Sequence, residues 1–202
     1  LKQRLQERLA SYRMRELPNG LVMPEAAVLM PFTDQDEPDL ILTVRSSSMP
    51  THAGEVAFPG GMRDKTDKDL LATALRESHE EVGLPERAVE VLGQLSPVPS
   101  LHGMKVTPFV GMVDPSAKLR PEPREIADIF KVPLSFFLDS KPQLSQEVEM
   151  FGKRFYMPSY EFDGNRIWGL TAFMLLDFLN HAFDTGIVYE IEEETIKEGS
   201  AT

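Results

Sequence analysis

Glu77, Glu80 and Glu81 stand at i, i+3 and i+4, a spacing that on a helix gathers three carboxylates on one stripe. Each like-charge neighbour pair costs about 0.2–0.5 kcal/mol of helix stability, and a helix selected for stability alone would interleave lysine there. Crowded oxygen ligands are what hard divalent cations such as Mg2+ or Mn2+ take. The same triplet also suits the solvated face of an acidic protein, and its surroundings decide between the two. Upstream, Pro59-Gly60-Gly61 follows the apolar Val56-Ala57-Phe58. Such a strand end in a glycine turn lets main chain approach another group with no side chain in the way. Arg45 carries a guanidinium fork suited to a substrate phosphate, and His52 can contact substrate through its imidazole. An exposed arginine and a loop-shaping histidine are the plain alternatives.

To position these side chains, residues 54 to 84 must form a strand, a glycine turn, an acidic loop and a helix in succession. On a helix from Asp69 to Val82, Leu71, Ala74, Leu75, Ser78 and Val82 fall on one core-facing stripe. Gly83 suits the left-handed residue after the helix, and Leu84-Pro85 stops it. Before this unit the pattern predicts an N-terminal helix over Leu1 to Arg15. A turn over Leu17 to Met23 follows, then strands over Ala26 to Phe32 and Leu40 to Arg45 around the acidic Asp34 to Asp39. After it come strands over Val89 to Leu95 and Val106 to Val113, joined by a Ser96 to Gly103 loop that forms either a pocket wall or only a stiff connection, the latter being the reading for His102. A charged surface loop spans Pro115 to Pro123, and a turn or short helix Pro133 to Leu138. Gln146 to Phe151 and Arg154 to Phe162 read as a hairpin whose Tyr156, Tyr160 and Phe162 pack in the core or stack a purine. Gly169 to Phe183 is a strongly apolar helix that closes the core. The tail after Ile187, with Glu190-Ile191-Glu192-Glu193-Glu194, is expected to fray. Strand, loop and helix in this order describe an α/β or α+β layered fold.

The string Arg76-Glu77-Ser78-His79-Glu80-Glu81-Val82-Gly83-Leu84, preceded by Phe58-Pro59-Gly60-Gly61, resembles the Nudix box, G-x5-E-x7-R-E-U-x-E-E-x-G-U with U apolar. Counted from Gly61, the consensus glutamate position holds Asp67, and eight residues rather than seven separate it from Arg76. Ser78 takes the place of an apolar residue. Ile41-Leu42-Thr43-Val44-Arg45-Ser46 and His52-Ala53-Gly54-Glu55-Val56-Ala57-Phe58-Pro59-Gly60-Gly61 are similar to the additional motif of coenzyme A pyrophosphatases within that superfamily, with Pro50 where a second arginine is usual. Ile167-Trp168-Gly169-Leu170-Thr171-Ala172, expected at a helix start, is also similar to that subfamily.

The resemblance implies a Nudix fold, a mixed β-sheet sandwiched between helices with the acidic helix on one face. It implies a pyrophosphohydrolase in which Glu77, Glu80 and Glu81 hold Mg2+ or Mn2+ and Arg76 orients Glu80 or pairs with another carboxylate. Arg45, His52, Gly60 and Gly61 would meet a nucleotide-containing substrate. Coenzyme A or an acyl derivative is the leading substrate. ADP-ribose or a dinucleotide is the alternative, and a non-catalytic nucleotide-binding Nudix module is the reading of another class. Glu125, in a segment similar to one that carries an acid toward the metals in many Nudix proteins, is a further candidate beside its reading as a solvated residue. His79 sits at an unconstrained position of the box. A homodimer is what the family suggests.

Composition bounds the rest. The 202 residues, 42% of them apolar, suit one globular domain, divided here into an N-terminal helix and connection (1–24), a hydrolase domain (25–186) and an acidic tail (187–202). A net charge of −11 argues against nucleic acid as partner, because a grip on a phosphate backbone needs Lys and Arg. The same charge repels a diphosphate, so a bound cation is an electrostatic requirement of the enzyme reading. The chain has no cysteine and no apolar run of about 20 residues. It is therefore expected without disulfides, off the membrane and in the cytoplasm. Asp64, Asp67 and Asp69 lack the glycine and distant glutamate of a calcium-binding EF-hand loop.

Overall fold

One strand, β1 (Glu25–Thr33), divides the molecule into two apolar layers. Successive side chains of a strand point to opposite faces. Ala27 and Leu29 therefore enter a cluster with Ile41, Ala74, Val82, Leu84, Phe109 and Val113. Ala26, Met30 and Phe32 enter a larger one on the other side with Leu5, Leu9, Leu40, Leu42 and the apolar helix 169–183. A computed structural model describes residues 1–15, 17, 22–150 and 152–191.

In chain order, α1 (Lys2–Ala10) leads to β1, β2 (Asp39–Arg45), β3 (Val56–Ala57), β4 (Gly60–Met62) and α2 (Leu70–Val82). A short turn of 3-10 helix at Glu86–Ala88 precedes β5 (Val89–Gln94), β6 (Val98–Pro99), β7 (Lys105–Val113), β8 (Ile126–Pro133) and α3 (Leu134–Asp139). Then follow β9 (Gln143–Met150), β10 (Lys153–Phe162), β11 (Asn165–Trp168), α4 (Gly169–Phe183) and β12 (Glu190–Ile191). The main sheet runs β3-β2-β1-β7-β5, with β4 added to β1, β6 to β7 and β8 to β2. It is mixed: β1 and β7 are parallel from Glu25↔Lys105 to Thr33↔Val113, and the other pairings are antiparallel. A second, antiparallel sheet joins β9, β10, β11 and β12. With α2 on one face of the main sheet and α1 and α4 on the other, this is the expected α+β architecture of a sheet between helices.

Local signals set the limits of α2. Asp69 is its N-cap and accepts the Ala72 N–H at 2.8 Å. Gly83 turns left-handed (φ 67°), and its N–H returns to the His79 carbonyl. Its buried arc differs from the expected stripe. Thr73, Ala74, Leu75, Ser78, Glu81 and Val82 are inward, while Leu71 is only half-buried.

Elsewhere α1 ends at Ala10 rather than running on to Arg15, because the chain turns at Ser11 and the Tyr12 hydroxyl reaches Asp177 of α4. Ile167 and Trp168 belong to β11, and the helix begins only at Gly169. The hairpin aromatics divide: Tyr160 is buried against Phe136 and Phe137, whereas Tyr156 is partly exposed. Residues 187–191 do not fray. Asn180 binds the main chain of Ile187 on both sides, Tyr189 is buried and β12 pairs with β10. Asp177 unites the chain ends there, accepting the Tyr12 hydroxyl at 2.6 Å and the Tyr189 hydroxyl at 3.3 Å while pairing with Arg15 at 2.6 Å. Residues 192–202, the heart of the expected Pro18-Asn19-Gly20 turn, and Phe151 of the hairpin lie outside the described residues.

Candidate active site

Arg76 is the hub of the acidic helix. Its Nε and Nη2 donate to both oxygens of Asp67 at 2.9 Å, and Nη2 also donates to the Met62 carbonyl at 3.1 Å. Nη1 bridges Glu77 (2.8 Å) and Glu80 (2.9 Å). Asp67 is buried and accepts two further bonds at 2.9 Å, from the Asp64 N–H and the Thr73 hydroxyl. The Asp67 N–H reaches the Asp64 carbonyl in a tight turn, and Asp67 meets Arg76 despite the altered spacing. Hydrogen bonds from Arg76, aided by those from Asp64 and Thr73, hold the Asp67 carboxyl far below the ordinary carboxylate range against the effect of burial. The same contacts raise Arg76.

This arrangement makes Asp67 a positioning residue with a measurable weight. Asp67→Ala leaves Arg76 without its two-pronged partner, and breaking an inward ion pair of this kind costs about 2–4 kcal/mol. Chemical denaturation at pH 7 should show that loss. It should shrink as pH falls below the ordinary aspartate value, because the wild-type carboxylate, whose pKa is depressed by folding, contributes its stability above 3.8 and loses it as it protonates.

The three glutamates share a stripe but not an environment. Glu80 is exposed. Glu77 is half-buried, and its carboxyl is raised chiefly by burial, then by Glu80 and Glu125, against the pull of Arg76. Glu81 is only 3% exposed. One of its oxygens accepts the Gly60 N–H at 2.9 Å, and the other lies 3.7 Å from Nη1 of Arg45. Burial pushes the Glu81 carboxyl up to about 7 in spite of both, with Glu77 and Glu125 adding repulsion.

The glycine turn is shaped for these acids. β4 pairs with β1 through Ala27↔Gly61 and Val28↔Gly60, which carries the turn across the inward flank of α2. A Cβ at Gly60 would stand 2.4 Å from the Ala27 carbonyl oxygen, and one at Gly61 2.5 Å from Cδ of Glu77. Gly60 therefore has to be glycine to fit the sheet, and glycine at 61 leaves the Glu77 carboxylate room to lie where it does. Beyond α2, the Arg120 and Glu122 N–H groups satisfy the carbonyls of Val82 and Glu81, which brings the loop before β8 to the end of the helix. The Glu125 carbonyl accepts the Ser46 N–H at 2.8 Å, and the Glu125 carboxylate is close enough to raise both Glu77 and Glu81. In the sequence alone this residue is balanced against a solvated surface glutamate, its only signal being the place of its segment after the box.

His52 is not brought to the carboxylates. It is an exposed residue in a left-handed turn (φ 57°), with Nδ1 2.8 Å from Glu55 and its ring edge-on to His102 at 4.8 Å. His79 is exposed on the outer flank of α2. A groove of about 370 Å³ on that flank touches the constellation only through Arg76 and reaches neither Gly60 nor Glu81.

As the side chains stand, no three acids or histidines among the described residues converge as a metal cage. The three glutamates expected on one stripe differ in their contacts because Arg76 ties Glu77 and Glu80 while the Gly60 N–H holds Glu81 inward. The chemistry of the donor set nonetheless fits a hard dication. It consists of carboxylate oxygens, two of them raised by burial and mutual repulsion, which is a local shortage of positive charge.

The NUDIX domain family model matches residues 23–151. The chain is 46% identical over 147 residues to "Uncharacterized Nudix hydrolase NudL" of Photorhabdus laumondii, covering 73% of this chain and 79% of that protein. It is 43% identical over 150 residues to the protein of the same name from Pectobacterium atrosepticum, covering 73% and 77%. Among solved structures, the NUDIX domain of Shewanella oneidensis NrtR complexed with ADP ribose covers 67% of this chain and 86% of its own at 21% identity, with a TM-score of 0.47, too distant to speak to substrate. With a family match over more than half its length and relatives this similar, the chain belongs to the Nudix family, enzymes that hydrolyse phosphoanhydride bonds.

Proposed function

We propose that the protein is a metal-dependent diphosphate hydrolase that cleaves coenzyme A or acyl-coenzyme A to 3′,5′-ADP and 4′-phosphopantetheine or its acyl form, with residues 25–186 as the catalytic domain. The observation that carries the catalytic part is Glu81, a buried carboxylate pinned by the Gly60 N–H, faced by Arg45 and raised to about 7. A base poised near the working pH is what proton transfer from water needs. In the reaction, water adds to one phosphorus, its proton passes to Glu81, and the bond from that phosphorus to the bridging oxygen breaks so that the second phosphate leaves. Gly60 and Gly61 keep the approach to Glu77 and Glu81 free of side chains. Asp67 and Arg76 hold the acidic helix and the loop before it in register.

Glu77, Glu80 and Glu125 would hold Mg2+ or Mn2+, Glu80 by leaving Arg76, while Glu81, expected among the ligands, serves as the proton acceptor. When bound, the cation neutralises diphosphate charge and acidifies water. The coenzyme A assignment draws its support from the Leu42-Thr43-Val44-Arg45-Ser46 and Phe58-Pro59-Gly60-Gly61 motifs. Pro50, in place of the second arginine, favours the alternative of another nucleoside diphosphate derivative such as ADP-ribose or a dinucleotide. A non-catalytic nucleotide-binding module has less support, since the box acids and Arg76 are all present. A cytoplasmic location and a homodimer belong to the same proposal. No helix among the described residues is long and apolar enough to cross a membrane.

A substrate panel with Mg2+ or Mn2+, products identified by mass, tests the reading. Coenzyme A should yield 3′,5′-ADP and 4′-phosphopantetheine. Cleavage of ADP-ribose with coenzyme A untouched would transfer the assignment to the alternative.

A further inference from the structure

Arg45, expected as a substrate contact, has a side chain only 20% exposed that faces Glu81 rather than solvent. Its main chain is fixed on both sides, the N–H donating to the Glu55 carbonyl and the carbonyl accepting from the Gly54 N–H. A guanidinium offers five N–H donors in a rigid fork. Here Nη1 approaches Glu81 at 3.7 Å, too long for a hydrogen bond, and Nε is buried with no hydrogen-bond partner. A buried donor left without an acceptor is costly. The site therefore holds a cation whose hydrogen-bonding capacity is not taken up by the protein, next to the carboxylate the proposed reaction depends on.

We infer that Arg45 is a shared positioning residue: through the charge at Nη1 it keeps the buried Glu81 carboxylate in place, and its Nε–H donates to a phosphate oxygen of the substrate. One side chain then links recognition of the diphosphate to orientation of the base. The inference rests on the diphosphate-hydrolase reading above. Lysine retains the charge but lacks the planar fork, so it separates the two parts of the role.

The test has a spectroscopic and a kinetic arm. In 15N-labelled protein the Arg45 Nε–H resonance, assigned through its absence in Arg45→Lys, is followed during titration with methylenediphosphonate and Mg2+, a diphosphate mimic whose P–C–P bridge is not hydrolysed. The resonance should shift with saturation, and the mimic should bind Arg45→Lys about 10- to 100-fold more weakly, as loss of one charge-assisted hydrogen bond implies. For substrates the wild type cleaves, Arg45→Lys should raise KM about tenfold or more and lower kcat less than that, whereas Arg45→Ala should impair both. An Nε–H signal unmoved at every concentration of the mimic overturns the inference, as does an equal loss of kcat in both variants with KM unchanged. If the wild type cleaves no diphosphate, the function falls while the spectroscopic arm still decides whether Arg45 takes an anion.

Discussion

Glu81→Gln should reduce turnover by about 10²- to 10⁴-fold, the usual weight of a general acid–base group, and should make the metal-free protein more stable above neutral pH. The second effect follows from burial. In the unfolded chain the Glu81 carboxyl ionises near 4.5, and in the folded protein burial raises it to about 7 despite the Gly60 N–H and Arg45. Between those values the folded state binds more protons than the unfolded one. The contribution of Glu81 to stability is therefore complete below pH 4.5 and is lost as pH rises through 7. Burial on this scale disfavours the charged form by about 3 kcal/mol. Glutamine is uncharged throughout. In chelator-treated protein at pH 8 the variant should gain up to about 3 kcal/mol, or roughly 6–12 °C in Tm for a chain of this size. The two stability curves should converge below pH 4.5. A variant that is inactive yet no more stable at pH 8 would show that Glu81 does not ionise in a buried site. A variant that retains full activity would remove it from the mechanism.

Two neighbouring glycines should separate folding from catalysis. At Gly60 an added Cβ meets main chain, the Ala27 carbonyl oxygen at 2.4 Å and the Val28 Cα at 2.5 Å. Neither can yield without breaking the pairing of β4 with β1. Gly60→Ala should cost about 3 kcal/mol or more and lower Tm by roughly 6 °C or more. At Gly61 the added Cβ meets only the far end of Glu77, with Cδ at 2.5 Å and the two oxygens at 2.6 and 2.8 Å. A flexible carboxylate can swing aside, so Gly61→Ala should cost about 1 kcal/mol or less. Its turnover should nonetheless fall about 100-fold, the penalty for misplacing a reacting group by about 1 Å. Thermal melting and initial rates on the same preparations distinguish the two variants. Equal melting temperatures would contradict the placement of Gly60 against β1, and an active Gly61→Ala would contradict the need for Glu77 in its present position.

Much of the site is legible in the sequence because its signals are local. Asp69 and Gly83 mark the ends of α2 within one turn of it, and the apolar run 26–32 announces a strand buried on both faces. The i, i+3, i+4 spacing places three acids on one side of a helix whatever that helix packs against. The departures from expectation arise where a residue distant in sequence intervenes. Asp67 meets Arg76 in spite of the altered spacing, held by the Asp64 N–H and the Thr73 hydroxyl as well as by Arg76 itself. The segment 187–191 is ordered by Asn180, by Asp177 and by pairing with β10, none of which its acidic composition reveals. His52 turns toward His102, a residue 50 positions away.

By itself the sequence determined that a strand, glycine turn and helix present glutamates with an arginine beside them, since period and punctuation follow from backbone sterics and side-chain type. Only the tertiary structure decided that these glutamates differ, Glu80 outward, Glu77 half-buried and Glu81 enclosed between Gly60 and Arg45. Helical spacing gives an angle around one axis. The environment of a carboxylate depends on which strand ends and loops arrive at that angle, and they come from residues 45, 60 and 125, brought together by a sheet whose central pair is parallel.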